Sequence, residues 1–509
     1  MRRWLPLLTI CIGTFMLLID VTIVNVALPS MAKDLNTSFS SLQWVVDAYA
    51  LILAALVLGT GSIADIVGHR QAYVAGLVVF AVASFTCGIA PNPAVLIAAR
   101  AVQGLGGAAM FATTFALLNS NYSGRNRGTA YGIWGAVVGA AAATGPIVGG
   151  LLTEGISWRW IFFVNLPISF VAIVMCVRWL EDVHDRRHVQ VDWIGIATFT
   201  GAAAAITYGL IHADEYGWAK TASWAMFPLG AVLLAVFVYI ELHTTDAMLD
   251  LGLLRKRAFL GIVLAAGLLT FAAFAMFAYT SIWMQSILGM SPIQAGAVGV
   301  PLSVAAFGVS AWAGRHLTTL RPGPVVAIGL VLVAGGDFLC VAFVHGGARW
   351  EALVPGFFLM GLGVGMINPS LTSSAMAAVP PQRGGMAAGA VNTSRQLGFA
   401  FGIALAGSVF STRVESVLRS HHVANPSTVA HLLSGGQAGR ILGHAPVSTR
   451  GALASALHAA AVSGVQYGFL LAGIVGAVAA ALVFWLVDSP QPTFHAEPAT
   501  AAAEPASTA

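Results

Sequence analysis

The stretch Gly61-Ser-Ile-Ala-Asp65-Ile-Val-Gly68-His-Arg70 decides the fold, because it is a short polar interruption between two long apolar segments. Its glycines, Gly61 and Gly68, permit a tight turn that bulkier residues resist. Asp65 stands where it can cap or pair across a helix end, and Arg70 is available as its partner. The pattern predicts two apolar helices that turn back at the same membrane face, with a charged latch between them.

Composition places the rest of the chain in a membrane. The 509 residues are 58% hydrophobic and only 9% charged, and the mean hydropathy is +0.83. A soluble domain carries about 25% charged residues, so these residues could not coat a water-facing surface. The N-terminal segment Leu5–Ala27 is too long for the core of a signal peptide. We expect it to stay as the first helix, and a soluble enzyme is excluded.

Windows of about 20 apolar residues predict fourteen membrane-spanning helices. Their expected bounds are Leu5–Ala27, Gln43–Ile63, Tyr73–Ala90, Ala94–Leu118, Thr129–Leu152, Ile161–Leu180, Trp193–His212, Ser223–Ile240, Phe259–Met284, Gln294–Ala313, Gly323–Val344, Ala352–Ala375, Met386–Phe410 and Gln466–Val487. Alternate short loops hold 14 lysines and arginines against 4 in the other short loops, so both termini are expected in the cytoplasm.

The helices divide the chain into regions. We expect a six-helix bundle over residues 1–190, two inserted helices over 191–257 and a second six-helix bundle over 258–488. Within the second bundle, residues 411–465 are predicted to form a long, solvated outer loop. Residues 489–509, rich in Ala, Pro, Thr and Glu, are expected to be a disordered cytoplasmic tail.

Helices one and four each carry a charge inside the predicted membrane. Asp20 lies about 10 Å below the outer end of its helix, and Arg100 lies at nearly the same depth. A membrane arginine costs about 2.5–3.5 kcal/mol on insertion scales and needs a partner or a wet cavity. The pair could share or exchange a proton, with Gln103 one turn away. A purely structural ion pair and an arginine that reaches the interface are the alternatives.

Helix five carries small residues that allow close packing, ending in Gly145-Pro146-Ile-Val-Gly149-Gly150. Pro146 removes a backbone donor and bends the helix. Together with the loop stretch around Asp65 and the first-helix pattern around Asp20, this segment resembles the motifs of the major facilitator superfamily. Within it, the chain is most similar to the fourteen-helix drug:proton antiporters. Ile66 and His69 stand where the family's loop pattern usually has arginine, so we expect either a weaker latch or one that titrates with His69.

The resemblance implies an all-α integral membrane fold of two six-helix bundles plus two inserted helices, with substrate bound between the bundles. It also implies proton-coupled antiport, with Asp20 as the titrating group, Arg100 as its tuning partner and Gly145, Pro146, Gly149 and Gly150 as the seal against leak. The expected cavity residues are Asn25, Asp47, Gln103, Asn392 and Arg395. Asp47, in the first turn of its helix, could instead simply favour the helix dipole.

Three other functions stay open on the sequence. A proton-coupled importer would share the fold, an exporter of an endogenous lipid or metabolite would differ only in cargo, and a membrane-embedded enzyme would need clustered catalytic residues. The four cysteines are scattered and no ligand cluster is apparent, so we expect no metal and no cofactor. The expected partners are a small hydrophobic substrate, protons and the lipid bilayer, with no nucleic acid; we expect a monomer in the bacterial cytoplasmic membrane.

Overall fold

The computed structural model describes residues 2–37, 39–122, 124–180, 192–216, 221–244, 249–317, 320–377 and 384–487. The N-terminal half contains α1 (Leu5–Asp34), α2 (Phe39–Val67), α3 (His69–Gly88), α4 (Pro93–Asn121), α5 (Gly124–Gly155), α6 (Trp160–Phe163) and α7 (Asn165–Trp179). Two helices separate the halves, namely α8 (Trp193–Tyr216) and α9 (Thr221–His243). The predicted tail 489–509 lies outside the described residues.

The C-terminal half is also helical. It contains α10 (Leu251–Leu254), α11 (Arg257–Phe274), α12 (Phe277–Ile282) with a π-helical turn at Trp283–Ile287, α13 (Pro292–Ala297), α14 (Val300–His316), α15 (Pro322–Phe343), α16 (Val354–Ala377), α17 (Gly384–Ser420), α18 (Pro426–Ser434), α19 (Ala438–His444) and α20 (Val447–Val487). Over the described residues, twelve helices are long and apolar enough to cross a membrane, and α2 adds the shorter apolar stretch Ser41–Val57. The predicted all-α membrane fold is confirmed.

Local sequence explains where several helices begin. Asn92 caps α4, because its Oδ1 accepts a hydrogen bond of 3.0 Å from the Val95 backbone, and Pro93 follows at the first helical position. Ser291 and Gln294 form a reciprocal capping box at the start of α13. Gly68 separates α2 from α3 with a φ of 107°, a backbone conformation that only glycine adopts readily.

The two halves repeat one packing scheme. In the N-terminal half α4 packs against both α2 and α3, and α1 packs against α5. In the C-terminal half α16 packs against both α14 and α15, and α11 packs against α17. The halves meet where α2 contacts α17 and where α5 contacts α13 and α14, while α8 touches both α2 and α17. The site therefore lies between two related bundles.

The expected outer loop over residues 411–465 is shorter in the structure. Helix α17 continues to Ser420 and α20 already begins at Val447, so only residues 421–446 connect them, including α18 and α19. The prediction stopped where charged residues such as Arg413 interrupt the apolar run, but a helix can continue beyond the hydrocarbon core. The connection is also not simply solvated, because Leu433 is 1% exposed.

Candidate functional site

An ion pair between α1 and α4 forms the polar centre of the N-terminal half. Arg100 Nη1 donates to Asp20 Oδ2 over 2.5 Å, and neither side chain is exposed. Arg100 also donates through Nε to the Val45 carbonyl on α2, over 2.9 Å. The Tyr49 ring lies 4.2 Å from the guanidinium carbon, within the range of a cation–π interaction. The structure thus brings together the two charges that were predicted to share one depth.

Three uncharged side chains complete this cluster. Gln103 accepts from Arg100 over 2.8 Å and donates to Asp20 Oδ1 over 3.0 Å. Asn165, at the start of α7, donates to the same Asp20 oxygen over 3.0 Å. Ser84 on α3 accepts from Gln103 at 3.0 Å and from Asn165 at 2.9 Å. We call Asp20, Ser84, Arg100, Gln103 and Asn165 the polar cluster.

The sequence analysis did not identify Ser84 and Asn165 as members of this cluster. Both are small polar residues inside otherwise apolar segments, which is the one signal that could have found them. Buried polar groups need hydrogen-bond partners, so such residues at the depth of Asp20 are candidates to surround it. Their membership depends on which way α3 and α7 face, and the sequence does not state this.

A separate cavity lies between the halves and has a volume of about 110 Å³. It is lined by Leu18, Val21, Thr22, Asn25, Val138, Leu269, Thr270, Phe274, Phe277, Leu302, Ser303, Ala306, Val364, Asn368, Arg395, Gln396 and Phe399. Ligand sites for drug-sized molecules usually measure about 300–1,000 Å³, so this cavity must widen to hold such a molecule. We call it the central cavity.

Helix α1 separates the polar cluster from the central cavity. Leu18, Val21, Thr22 and Asn25 line the cavity, and at 3.6 residues per turn Asp20 points roughly 150° away from their common direction. Asp20 has no exposed surface. A proton on Asp20 and a molecule in the central cavity would therefore not touch, and any coupling between them must pass through α1 itself.

The residues expected to line the cavity lie in different places. Asn25 and Arg395 line it, whereas Gln103 belongs to the polar cluster. Asp47 and Asn392 are buried but are not among the described lining residues.

Two carboxylates elsewhere in the membrane stand apart from both sites. Asp47 on α2 and Asp337 on α15 are each fully buried. Neither carboxylate has a hydrogen-bond partner within the described part of the chain. They differ in this from Asp20, whose two oxygens accept three hydrogen bonds.

The Gly145–Gly150 segment of α5 lies at the contact between the halves. A side chain at Gly145 would meet Thr22 of α1, and one at Gly149 would come within 2.8 Å of the Ile23 carbonyl. A side chain at Gly150 would come within 2.6 Å of the Pro292 carbonyl, which belongs to the other half. Pro146, inside the helix, packs with its carbonyl against Gly296. The absence of side chains here allows α5 to touch α1 and α13 at once.

The contacts between the halves also define a closed face. We call the membrane face at which α1 begins and α20 ends the terminal face and the opposite face the distal face. Near the distal face, Gln285 donates to the Val26 carbonyl over 2.9 Å and Gln43 donates to Tyr279 over 3.0 Å. Residues 421–446 extend over the same face, where Gln437 donates to the Thr37 carbonyl over 3.2 Å. This conformation is closed on its distal face.

The predicted latch lies on the terminal face. Gly61 belongs to the end of α2 and Gly68 forms the turn into α3. Arg70 donates to the Leu180 carbonyl over 3.3 Å, at the end of α7. The side chain of Asp65 lies outside the described part of the structure, so its pairing with Arg70 stays a prediction.

Comparison with known proteins places this architecture in a family. The sequence profile of the Major Facilitator Superfamily matches residues 10–403. Two solved structures share the fold. A bacterial homologue of the human lysosomal transporter Spinster, inward-facing and unoccupied, aligns over 96% of this chain and 97% of its own with a TM-score of 0.62 at 14% identity. A human organic anion transporter, TETRAN, aligns over 84% and 97% with a TM-score of 0.56 at 16% identity.

Several similar sequences are named as resistance proteins. A puromycin resistance protein of Streptomyces alboniger is 34% identical over 84% of this chain and 86% of its own length. The multidrug resistance protein Stp of Mycobacterium tuberculosis is 33% identical over 82% and 78%. A tetracenomycin C resistance and export protein of Streptomyces glaucescens is 29% identical over 100% and 95%.

Proposed function

This chain belongs to the Major Facilitator Superfamily, and we propose that within this family it exports hydrophobic or amphipathic drugs or antibiotics in exchange for protons. The observation that carries the proposal is the buried Asp20–Arg100 pair, which lies beside the central cavity but on the opposite face of α1. The names of its relatives as resistance and export proteins support the choice of cargo and direction.

Asp20 is the group that takes up and releases the proton in this proposal. Its carboxylate bonds directly to Arg100, Gln103 and Asn165. Protonation removes the charge that attracts Arg100, so the contacts that hold α1 against α4 weaken. Because the opposite face of α1 lines the central cavity, a shift of α1 changes the cavity and links proton uptake to release of cargo. Arg100 keeps its charge throughout, since a guanidinium does not deprotonate in proteins.

The proposal includes an orientation. The excess of arginine and lysine in alternate short loops supports a cytoplasmic terminal face. The distal face is then the outside of the cell, and the Gly145–Gly150 contact closes the outer side of the pathway. Gly61, Asp65, Gly68 and Arg70 would act as a latch on the cytoplasmic side, where the two helices α2 and α3 turn.

The test measures proton movement caused by cargo. Purified protein is reconstituted into liposomes that contain a trapped pH dye, with equal pH on both sides, and candidate compounds are added outside. Antiport makes the lumen alkaline as protons leave against entering cargo, whereas symport makes it acidic. Empty liposomes and liposomes that contain the Asp20→Asn variant show how much of the pH change comes from passive permeation of the compound. Luminal acidification that needs the protein would contradict the proposal and favour an importer.

The same assay distinguishes drug export from export of an endogenous compound. An exporter of an endogenous lipid or metabolite would show no proton release with a polyketide antibiotic such as tetracenomycin C, yet would respond to a lipid or metabolite extract. Cells that express the chain would then accumulate the antibiotic as fast as control cells do.

A further inference from the structure

The central cavity has an unusual charge. Arg395 on α17 is the one charged residue among the described residues that line it. No carboxylate among the described residues lies within ion-pair distance of this guanidinium. Its Nη2 donates to Asn368 over 3.1 Å, and its Nε has no hydrogen-bond partner in the part of the chain that the structure describes. Within the described ranges, the positive charge is therefore compensated only by dipoles.

A positive charge inside the membrane without a negative partner is energetically costly unless a bound group supplies the missing negative charge. An arginine near the middle of a membrane is costly on insertion scales, and Arg100, in the other half, offsets that cost with a direct ion pair. Arg395 instead faces the space between the halves. Electrostatic interactions are strong there, because the residues that line the cavity are largely apolar.

The other lining residues complement one particular kind of molecule. Phe274, Phe277 and Phe399 provide aromatic surface against which a ring system can pack. Asn368 and Asn25 add polar groups, and the Asn25 Oδ1 has no hydrogen-bond partner among the residues described. A molecule with an aromatic body and one negatively charged group fits both features at once.

We propose that Arg395 forms an anion-binding subsite in the central cavity, which selects aromatic cargo carrying a carboxylate, sulfonate or phenolate over cationic cargo. The guanidinium forms charge-assisted hydrogen bonds with the anion, which are about twice as strong as neutral ones. A cation in the same place meets a fixed like charge. The inference rests on the proposed export function, since it assigns the charge class of the exported cargo.

The experiment compares two dyes that share a xanthene ring and differ in charge. Fluorescein is anionic and rhodamine 123 is cationic. Binding of each is measured by fluorescence polarisation on purified protein in detergent, with protein-free micelles subtracted. We expect fluorescein to bind at least about tenfold more tightly than rhodamine 123, a difference of about 1.4 kcal/mol.

Variants at Arg395 test whether this residue is the cause. Arg395→Gln should lose the preference, with fluorescein about tenfold weaker and rhodamine 123 unchanged or stronger. Arg395→Lys keeps the charge and should keep the preference with weaker binding. Arg419→Gln, on the same helix but exposed, is the matched control and should behave like the unmodified protein.

Two results would overturn the subsite. One is equal binding of the two dyes by the unmodified protein, and the other is an unchanged ratio in a folded Arg395→Gln variant. Because binding is measured without transport, these results are distinct from failure of the export proposal. A correct dye preference without any dye-dependent proton movement in liposomes would leave the subsite standing and contradict proton-coupled export.

Discussion

The N-terminal half buries its membrane arginine against a carboxylate, whereas the C-terminal half leaves its own facing the central cavity. The two bundles share their packing scheme, including close helix crossings at Gly106 in the first half and Gly363 in the second. Although the helices pack in the same way, the environment of the membrane arginine differs between the two halves. A fully paired charge is suited to hold helices together and to respond to a proton, and a cavity-facing charge is suited to recognise a ligand.

The region around α15 and α16 extends the comparison. Gly76 on α3 and Gly329 on α15 occupy the same position in their helices, seven residues from the start, and each packs against the neighbouring helix. By the same count Ser84, inside the polar cluster, corresponds to Asp337. Gly336, next to Asp337 in α15, packs against Met360 of α16, and Asp337 itself is fully buried. The C-terminal half thus lacks a matching polar cluster among its described residues.

The largest expected effect is a difference in stability between the variants of the two membrane arginines. Arg100→Gln leaves Asp20 buried without its ion pair, which costs about 3–5 kcal/mol. Arg395→Gln removes a charge that has no acidic partner among the described residues, so its effect on stability should be small or favourable. The stability of each detergent-solubilised variant is measured by heating it and following the remaining folded fraction by size-exclusion chromatography. Arg419→Gln is the control. Equal losses at Arg100 and Arg395 would remove the distinction between the halves.

A second prediction concerns the contact that joins the halves. Gly150→Val places a side chain against the Pro292 carbonyl and prevents the distal face from closing. Overpacking of this kind costs about 1–3 kcal/mol, enough to shift the population roughly tenfold toward open forms. A cysteine at Ser281, which is 4% exposed, should then react several-fold faster with a maleimide in a background without the native cysteines.

Gly155→Val is the matched control for that change. It lies on the same helix, and, leaving aside its chain neighbours and the adjacent turn of its own helix, no atom of the described chain lies within 4 Å of the position that its Cβ would take. Its labelling rate should therefore equal that of the parent. Equal acceleration by Gly150→Val and Gly155→Val would mean that the segment does not act as a closing contact.

The smallest expected effect tests the outer members of the polar cluster. Ser84→Ala removes the acceptor that Gln103 and Asn165 share, although both keep their bonds to Asp20. We expect a loss of about 1 kcal/mol and a melting temperature lower by a few degrees. Thr86→Ala, on the same helix outside the cluster, should leave the melting temperature unchanged. A neutral Ser84→Ala would show that the cluster extends no further than Asp20, Arg100, Gln103 and Asn165.

Much of this architecture can be predicted from the sequence, because the thickness of the membrane sets the length of the helices that cross it. Helix order followed from apolar runs, and the rise of 1.5 Å per residue placed Asp20 and Arg100 at one depth. The direction in which each side chain points around its helix axis could not be predicted as well. Asn25 and Arg395 line the cavity while Asp47 and Asn392 do not, since side-chain direction depends on packing between helices. Likewise, hydropathy located the apolar end of α17 but not its continuation to Ser420.

The central claim is that the proton site and the cargo site are separate and communicate through α1. Its most direct test measures cargo binding and pH-gradient-driven uptake on the same preparation of Asp20→Asn in inverted vesicles. Because Asp20 acts on the cavity only through α1, we predict that the dissociation constant of the parent for cargo rises as the pH falls, whereas that of Asp20→Asn changes with pH by no more than about twofold, which is under about 0.5 kcal/mol. Gradient-driven uptake should be lost, while exchange down the cargo gradient continues. A well-expressed Asp20→Asn protein with undiminished gradient-driven uptake would contradict the account.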